Sequence, residues 1–295
     1  MIFSGHETFH IREGWLHKGL TAVKKDPLIF SNPNATDRLG VGKNMVFSIR
    51  YWLLAAGLIT EEKKKVGTEV RTKTSLSPLG EIIAKKDPYF EEDLTLWVIH
   101  YHLATNIDKA TTWYWFFNVF PMRTFDAQSF VANLNRWVAE ASKKQIAMPS
   151  LQKDLNCLLR TYSRARAKGR KTSPEDSLEC PLSNLRLITE QENSGGYRVE
   201  FGKGKVNPLA FGYALMSFLA NKADKTAKIT EVANEARSPG RVFLMSEDML
   251  VENLQTLEDT FGKRTVSYVK TAGLNTVKAS KTISAIEFLE AAYEK

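Results

Sequence analysis

The chain has 295 residues, 43% of them hydrophobic and 25% charged, with a formal net charge of +8; this is the composition of an ordinary globular protein with room for two or three cores. "MIFSGHETFH" lacks the charged and apolar runs of a signal peptide, "LTLWVIHYHLA" and "TTWYWFFNVF" are too short and polar to span a bilayer, and Cys157 and Cys180 make neither a disulfide framework nor a zinc knuckle. The expectation is a cytoplasmic protein without a membrane partner, whose positive balance suits a polyanion, nucleic acid first.

Residues 6–10 read His-Glu-Thr-Phe-His, a literal H-E-x-x-H, the pattern in which two helical histidines hold zinc and the glutamate activates water. The extended metzincin form does not fit, because Gly14 and His17 each arrive one residue late. Gly5 and Gly14 also leave room for two helical turns at most, which argues against a zinc peptidase. Two readings stay open for His6 and Glu7. They form a structural cap with local hydrogen bonds, or a catalytic pair that holds a divalent ion (Mg or Mn) or activates water for phosphodiester cleavage.

The clearest pattern lies in residues 36–59, "TDRLGVGKNMVFSIRYWLLAAGLI". A short helix ends at Gly40, "GVG" turns the chain, and a second helix runs from Lys43 to Ala56 with Gly57 as a left-handed cap. Val46, Ile49, Leu53 and Ala56 form its buried stripe. Asn44, Phe47, Ser48 and Tyr51 are expected on the opposite face, flanked by Lys43 and Arg50. This is a helix-turn-helix pattern. A predicted hairpin follows, turning near Gly67 and carrying Lys63, Lys64, Lys65, Arg71 and Lys73, with a helix opening at Pro78. The whole reads as a winged helix over residues 1–88, whose basic wing meets the phosphates of double-stranded DNA; packing against protein alone is the competing reading.

Residues 89–172 read as a central helical domain. Its aromatics, Trp97, Trp113, Trp115, Phe116, Phe117 and Trp137, alternate with aliphatic residues and are expected in a core rather than on a base-stacking surface. His100 and His102 face different ways on a helix and are expected in the core or at the surface, not as ligands. "RTYSRARAKGRK" carries Arg164, Arg166, Lys168 and Arg170 on a basic strip, either a solvated helix end or a phosphate contact. Residues 173–295 read as an α+β region. A short helix, two strands turning at Gly195-Gly196 and the helix "NPLAFGYALMSFLANKA" are expected to form a second, abbreviated winged-helix unit. Beyond them come a helix, an "SPG" turn, a short strand, another helix, and a strand with a closing loop. The predicted fold class is mainly α with small β-hairpins.

Several segments together resemble a known family: "SGHETFHIREGWLHKG", "LGVGKNMVFSIRYWLLAAGLI", "LSPLGEIIAKKDPYFEEDLTLWVIHYHLA", "DLNCLLRTY", "EDSLECPLSNLRLI", "GGYRVEFGKG" and "SPGRVFLMSEDMLVENL". They fall in order along essentially the whole chain and resemble the SspB-like family of bacterial DNA phosphorothioation defence systems. Members of that family keep Gly-His-Glu-Thr-Phe and often lack a histidine at the position of His10, which makes half of the zinc motif incidental. The resemblance implies a role in replacing a non-bridging phosphate oxygen by sulfur, with DNA nicking that opens the strand for it. It also implies work beside a cysteine desulfurase, an ATPase and a sulfurtransferase-like enzyme; a homodimer is left open. No PD-(D/E)xK or HNH signature accompanies it, so nicking rests on the resemblance alone. A DNA nickase and a non-catalytic DNA-binding adaptor are the readings carried forward.

Overall fold

In a computed structural model, the structure describes residues 1–66, 69–142, 145–163, 179–191, 195–271 and 274–295. The first fourteen residues form turns rather than a helix. α1 (Trp15–Lys25) buries Trp15, Leu16, Leu20 and Val23 and packs on α3 (Lys43–Ala55), with the short α2 (Ala35–Leu39) alongside. Gly57 ends α3 at φ 69. Its N–H donates to the Leu54 carbonyl and the Leu58 N–H to that of Leu53, the double return bond that needs a left-handed residue at this position. The chain then enters an antiparallel hairpin, β1 (Ile59–Val66) and β2 (Glu69–Leu76), in register from Ile59 opposite Leu76 to Lys64 opposite Arg71. The expected turn at Gly67 lies outside the described residues. α4 (Pro78–Lys86) starts where predicted, with Ser77 capping the Gly80 N–H and Pro78 in the first turn, where it has no hydrogen bond to lose.

The central helices are α5 (Asp93–Thr105), α6 (Thr111–Asn118), α7 (Ala127–Ser142) and α8 (Met148–Tyr162). Trp97, Trp113, Trp115, Phe116 and Phe117 are buried and Trp137 partly so, which is the core reading of these aromatics. His100 sits among them, fully buried. Its Nε2 donates to the Val242 carbonyl at 2.8 Å, and its Nδ1 accepts from the Tyr162 hydroxyl at 2.8 Å. Both ring nitrogens are satisfied in the neutral form. Burial lowers the His100 pKa from 6.5 to about 4, only partly opposed by the Val242 bond. Between those values the unfolded chain binds the proton and the folded chain does not. Stability is therefore expected to fall as pH drops below about 6.5, by about 2 kcal/mol at pH 5 from this group. Urea midpoints at pH 7 and pH 5 check this. Wild type should lose that much more than His100→Gln, and equal losses would remove His100 as the cause.

Residues 173–295 are expected to be α+β and winged-helix-like, and residues 173–178, 192–194, 272 and 273 of that region lie outside the described ones. β4 (Ile188–Glu190) and β5 (Tyr197–Val199) pair as predicted, but β5 also takes β3 (Thr124–Phe125) on its other edge, giving the order β3-β5-β4. α9 (Pro208–Leu219) leads into β6 (Thr226–Lys228), α10 (Ile229–Asn234), α11 (Pro239–Val242), α12 (Glu247–Phe261), β7 (Val266–Thr271) and β8 (Leu274–Ala279), with sheet order β6-β8-β7. The strand expected at "RVFLM" is the short α11, because Ser238 caps the Arg241 N–H and Pro239 presets the first helical φ. The expected closing loop is strand β8 followed by α13 (Ala285–Ala292). α12 carries Glu247, Asp248, Glu252, Glu258 and Asp259 and no basic residue. Its exposed side chains are Glu247, Asp248, Glu252, Gln255 and Asp259.

α5 packs on α9, α13 packs on both α9 and α4, and Tyr293 hydrogen-bonds Thr95 at 2.6 Å. One hydrophobic core thus runs through the stretches 1–88, 89–172 and 173–295. Among the described residues no helix is long and apolar enough to cross a membrane.

Candidate nucleic-acid interface

α3 presents Lys43, Asn44 and Phe47 to solvent, Phe47 with 42% of its surface exposed. Two residues expected on that face are not there. Ser48 is fully buried, and Tyr51 is buried with its hydroxyl donating to the Lys109 carbonyl at 2.9 Å. The reason is that a second side of α3 is covered by the N-terminal turn and the approach to α6, with the Tyr51 ring against His6 and Trp52 against Trp113, so its buried arc is wider than one stripe. This corrects Ser48 as a DNA contact.

Arg50 is half-buried and committed. Its Nε and Nη2 donate to the two carboxylate oxygens of Glu61 at 2.6 Å each, a bidentate pair from the helix to β1. Glu61 raises the Arg50 pKa, against the opposing effect of burial. The pairing removes Arg50 as a free cation on this face, a second departure from the sequence expectation. Glu61 itself escaped sequence reading because only the packing of β1 against the end of α3 brings it beside Arg50.

The hairpin next to α3 is basic. Lys63, Lys64 and Lys65 are exposed on β1 without an acidic partner among the described residues, and Arg71 is exposed opposite Lys64. Lys73 lies 3.7 Å from Glu62, a partly exposed pair of small energetic weight. Arg164, Arg166, Lys168 and Arg170 lie outside the described residues.

The His-Glu stretch is a left-handed turn, not a helix. Glu7 has φ 50 and Thr8 has φ 72, an uncommon conformation, especially for a β-branched residue. The turn aims the Thr8 N–H at His6 Nδ1 (3.1 Å), which leaves the His6 proton on Nε2, pointing at Asp154 Oδ1 (2.9 Å). Asp154, on α8, also accepts from the Ser4 N–H at 2.7 Å and the Thr112 hydroxyl at 2.5 Å. The His6 ring stacks on Trp52 with centroids 6.0 Å apart. His6 is 0% exposed while Glu7 is exposed to solvent. The two do not converge on one reacting atom, and His6 has no ring nitrogen left for a ligand. They do not fit a divalent ion, and no group of three or more His, Cys, Asp or Glu able to hold one occurs among the described residues. The signal for Asp154 was present in the sequence as an acid within the apolar stripe of Leu151, Leu155 and Leu158.

A separate cavity of about 650 Å³ opens between α5, α9 and the segment after α10. His102 lines it with Tyr101, Asn106, Ser217, Lys222 and Arg237. His102 Nε2 bonds the Tyr213 hydroxyl at 2.7 Å, and burial lowers its pKa to about 4. Lys222 is held by Glu231 at 3.0 Å and Glu235 at 2.5 Å, so the cavity is polar without a strong net charge.

The family described as a protein of unknown function, DUF4007, matches residues 3–293. Two solved structures are similar across 99% of this chain and 86% of their own, each at 25% identity: a magnesium ion-bound SspB at a TM-score of 0.87 and another SspB crystal structure at 0.86. No curated protein matches the chain.

Proposed function

Because the chain belongs to the DUF4007 family and shares its fold with SspB over 99% of its own length, we propose that it is a DNA-binding component of a bacterial phosphorothioation system. The segment α2–α3–β1–β2 acts as a winged helix, with α3 entering a groove and the basic hairpin lying along the phosphates. The observation that carries this is the run Lys63, Lys64 and Lys65, exposed and uncompensated among the described residues, on the hairpin that leaves α3. By strand alternation Arg71 and Lys73 share one face of the hairpin with Lys64 while Lys63 and Lys65 lie on the other, and Lys43 is exposed at the start of α3.

Changing all three lysines to alanine is expected to weaken duplex binding at least roughly tenfold at 0.1 M salt. It should also lower the slope of log affinity against log salt by about 0.9 for each phosphate that is no longer neutralised. Fluorescence anisotropy across a salt series reads both, and an unchanged slope would turn the hairpin toward protein instead.

Nicking that admits sulfur is the activity attached to this reading by the resemblance to the SspB-like family, with a cysteine desulfurase, an ATPase and a sulfurtransferase-like enzyme as partners. A non-catalytic adaptor is the second reading, favoured by one observation: His6 spends both ring nitrogens inside the core. Relaxation of supercoiled plasmid by the purified chain, with Mg²⁺, Mn²⁺ or chelator, separates the two. Nicking retained in Glu7→Ala would place the chemistry elsewhere, and binding without nicking by clean wild-type protein would support the adaptor.

A further inference from the structure

The open face of α3 has an unusual chemistry for a helix thought to meet DNA. Its central cation, Arg50, is occupied on both carboxylate oxygens by Glu61, so the guanine-reading fork that arginine supplies is absent there. What remains exposed is Lys43 at the helix start, then Asn44 and Phe47. The Asn44 amide has no partner among the described residues, and Phe47 exposes 42% of its surface. A lone exposed aromatic on a protein surface needs no explanation. This one shares a helix face with an exposed carboxamide and with Lys43, on a chain of net charge +8 whose following hairpin carries Lys63, Lys64 and Lys65. That charge selects a polyanion as the occupant of the face.

Three residues apart on a helix, Asn44 and Phe47 stand about 5–6 Å from each other, against about 3.4 Å per base step. They therefore reach the same or adjacent base pairs. A carboxamide pairs with N6 and N7 of adenine, and an apolar side chain covers the C5-methyl of thymine; both groups lie in the major groove, which is wide enough for a helix. We propose that α3 reads an adenine–thymine element in the major groove, Asn44 contacting adenine and Phe47 the thymine methyl. The inference rests on the DNA-binding reading above and adds the base class to it.

The test is selection of binding sites from a randomised duplex pool by the full wild-type chain, followed by binding to the selected site with two chemical edits. Replacing its thymine by deoxyuridine deletes only the methyl and is expected to weaken binding about fourfold. Replacing its adenine by 7-deazaadenine deletes N7 and should cost about tenfold. Phe47→Ala should lose the methyl sensitivity alone, Phe47→Leu should keep most of it, and Asn44→Ala should lose only the deazaadenine sensitivity. Both positions are exposed, so the variants are expected to fold, and matching urea midpoints check this. If wild type selects no adenine–thymine pair, or binds the edited sites as tightly, the inference is overturned while DNA binding stands. If wild type binds no duplex at all, both fall together.

Discussion

Replacing Asp154 by alanine is expected to cost about 3–5 kcal/mol of stability. Three donors converge on this carboxylate, the His6 Nε2–H, the Ser4 amide and the Thr112 hydroxyl, at 2.9, 2.7 and 2.5 Å. Asp154 has 2% of its surface exposed and His6 none, so no bulk water stands ready to replace it. Removing the carboxylate leaves all three donors without an acceptor in an apolar surround of Trp52 and Trp113. Asp154→Asn should fall between, because one acceptor oxygen remains while the new amide faces donors. Glu7→Ala, at an exposed side chain, should stay within about 0.5 kcal/mol. Urea unfolding of the three variants decides the matter. A loss below about 1 kcal/mol in Asp154→Ala would mean that the donors find other partners and that the node does not anchor the N-terminal turn.

Gly80→Ala is expected to be nearly as damaging, at about 3 kcal/mol or more, the upper range for overpacking. A Cβ at position 80 would stand 2.1 Å from the carbonyl oxygen of Leu58, a backbone atom that cannot rotate away. That same carbonyl accepts the Ser77 N–H at 3.0 Å, and Ser77 in turn bonds the Gly57 carbonyl at 2.6 Å. The start of α4 is thus clamped to the end of α3, and relieving the clash means breaking the clamp. Gly204→Ala is the control, since the atom nearest its Cβ is 4.0 Å away. A soluble Gly80→Ala with the urea midpoint of wild type would show that α4 shifts freely.

Local pattern made much of the fold legible. The stripe Val46, Ile49, Leu53 and Ala56, the Gly57 cap and the alternating hairpin were readable because each depends on residues close in sequence. α13 was equally readable and passed over: Ser284 and Glu287 form a capping box before an apolar run. Ser48 and Tyr51 were misplaced because periodicity assumes one buried face, whereas α3 packs on two sides. The His6–Asp154 bond joins residues 148 apart, and the Arg50–Glu61 pair depends on how β1 packs against α3. No spacing rule within one sequence reports either, which is why a motif that spells a metal site in letters is a buried hydrogen-bond node in space.

The acidic α12 has a consequence for where a duplex can meet the molecule. Its helix–hairpin surroundings parallel those of α3, yet its exposed stripe is Asp248, Glu252 and Asp259 where α3 offers Lys43 and Asn44. Phosphates drawn to Lys43 of α3 are repelled by the carboxylates of α12. Under the DNA-binding reading, α12 is therefore not a second recognition helix, and a duplex that met the C-terminal end would have to be held by the exposed Lys270 and Lys278 of the β7–β8 hairpin instead.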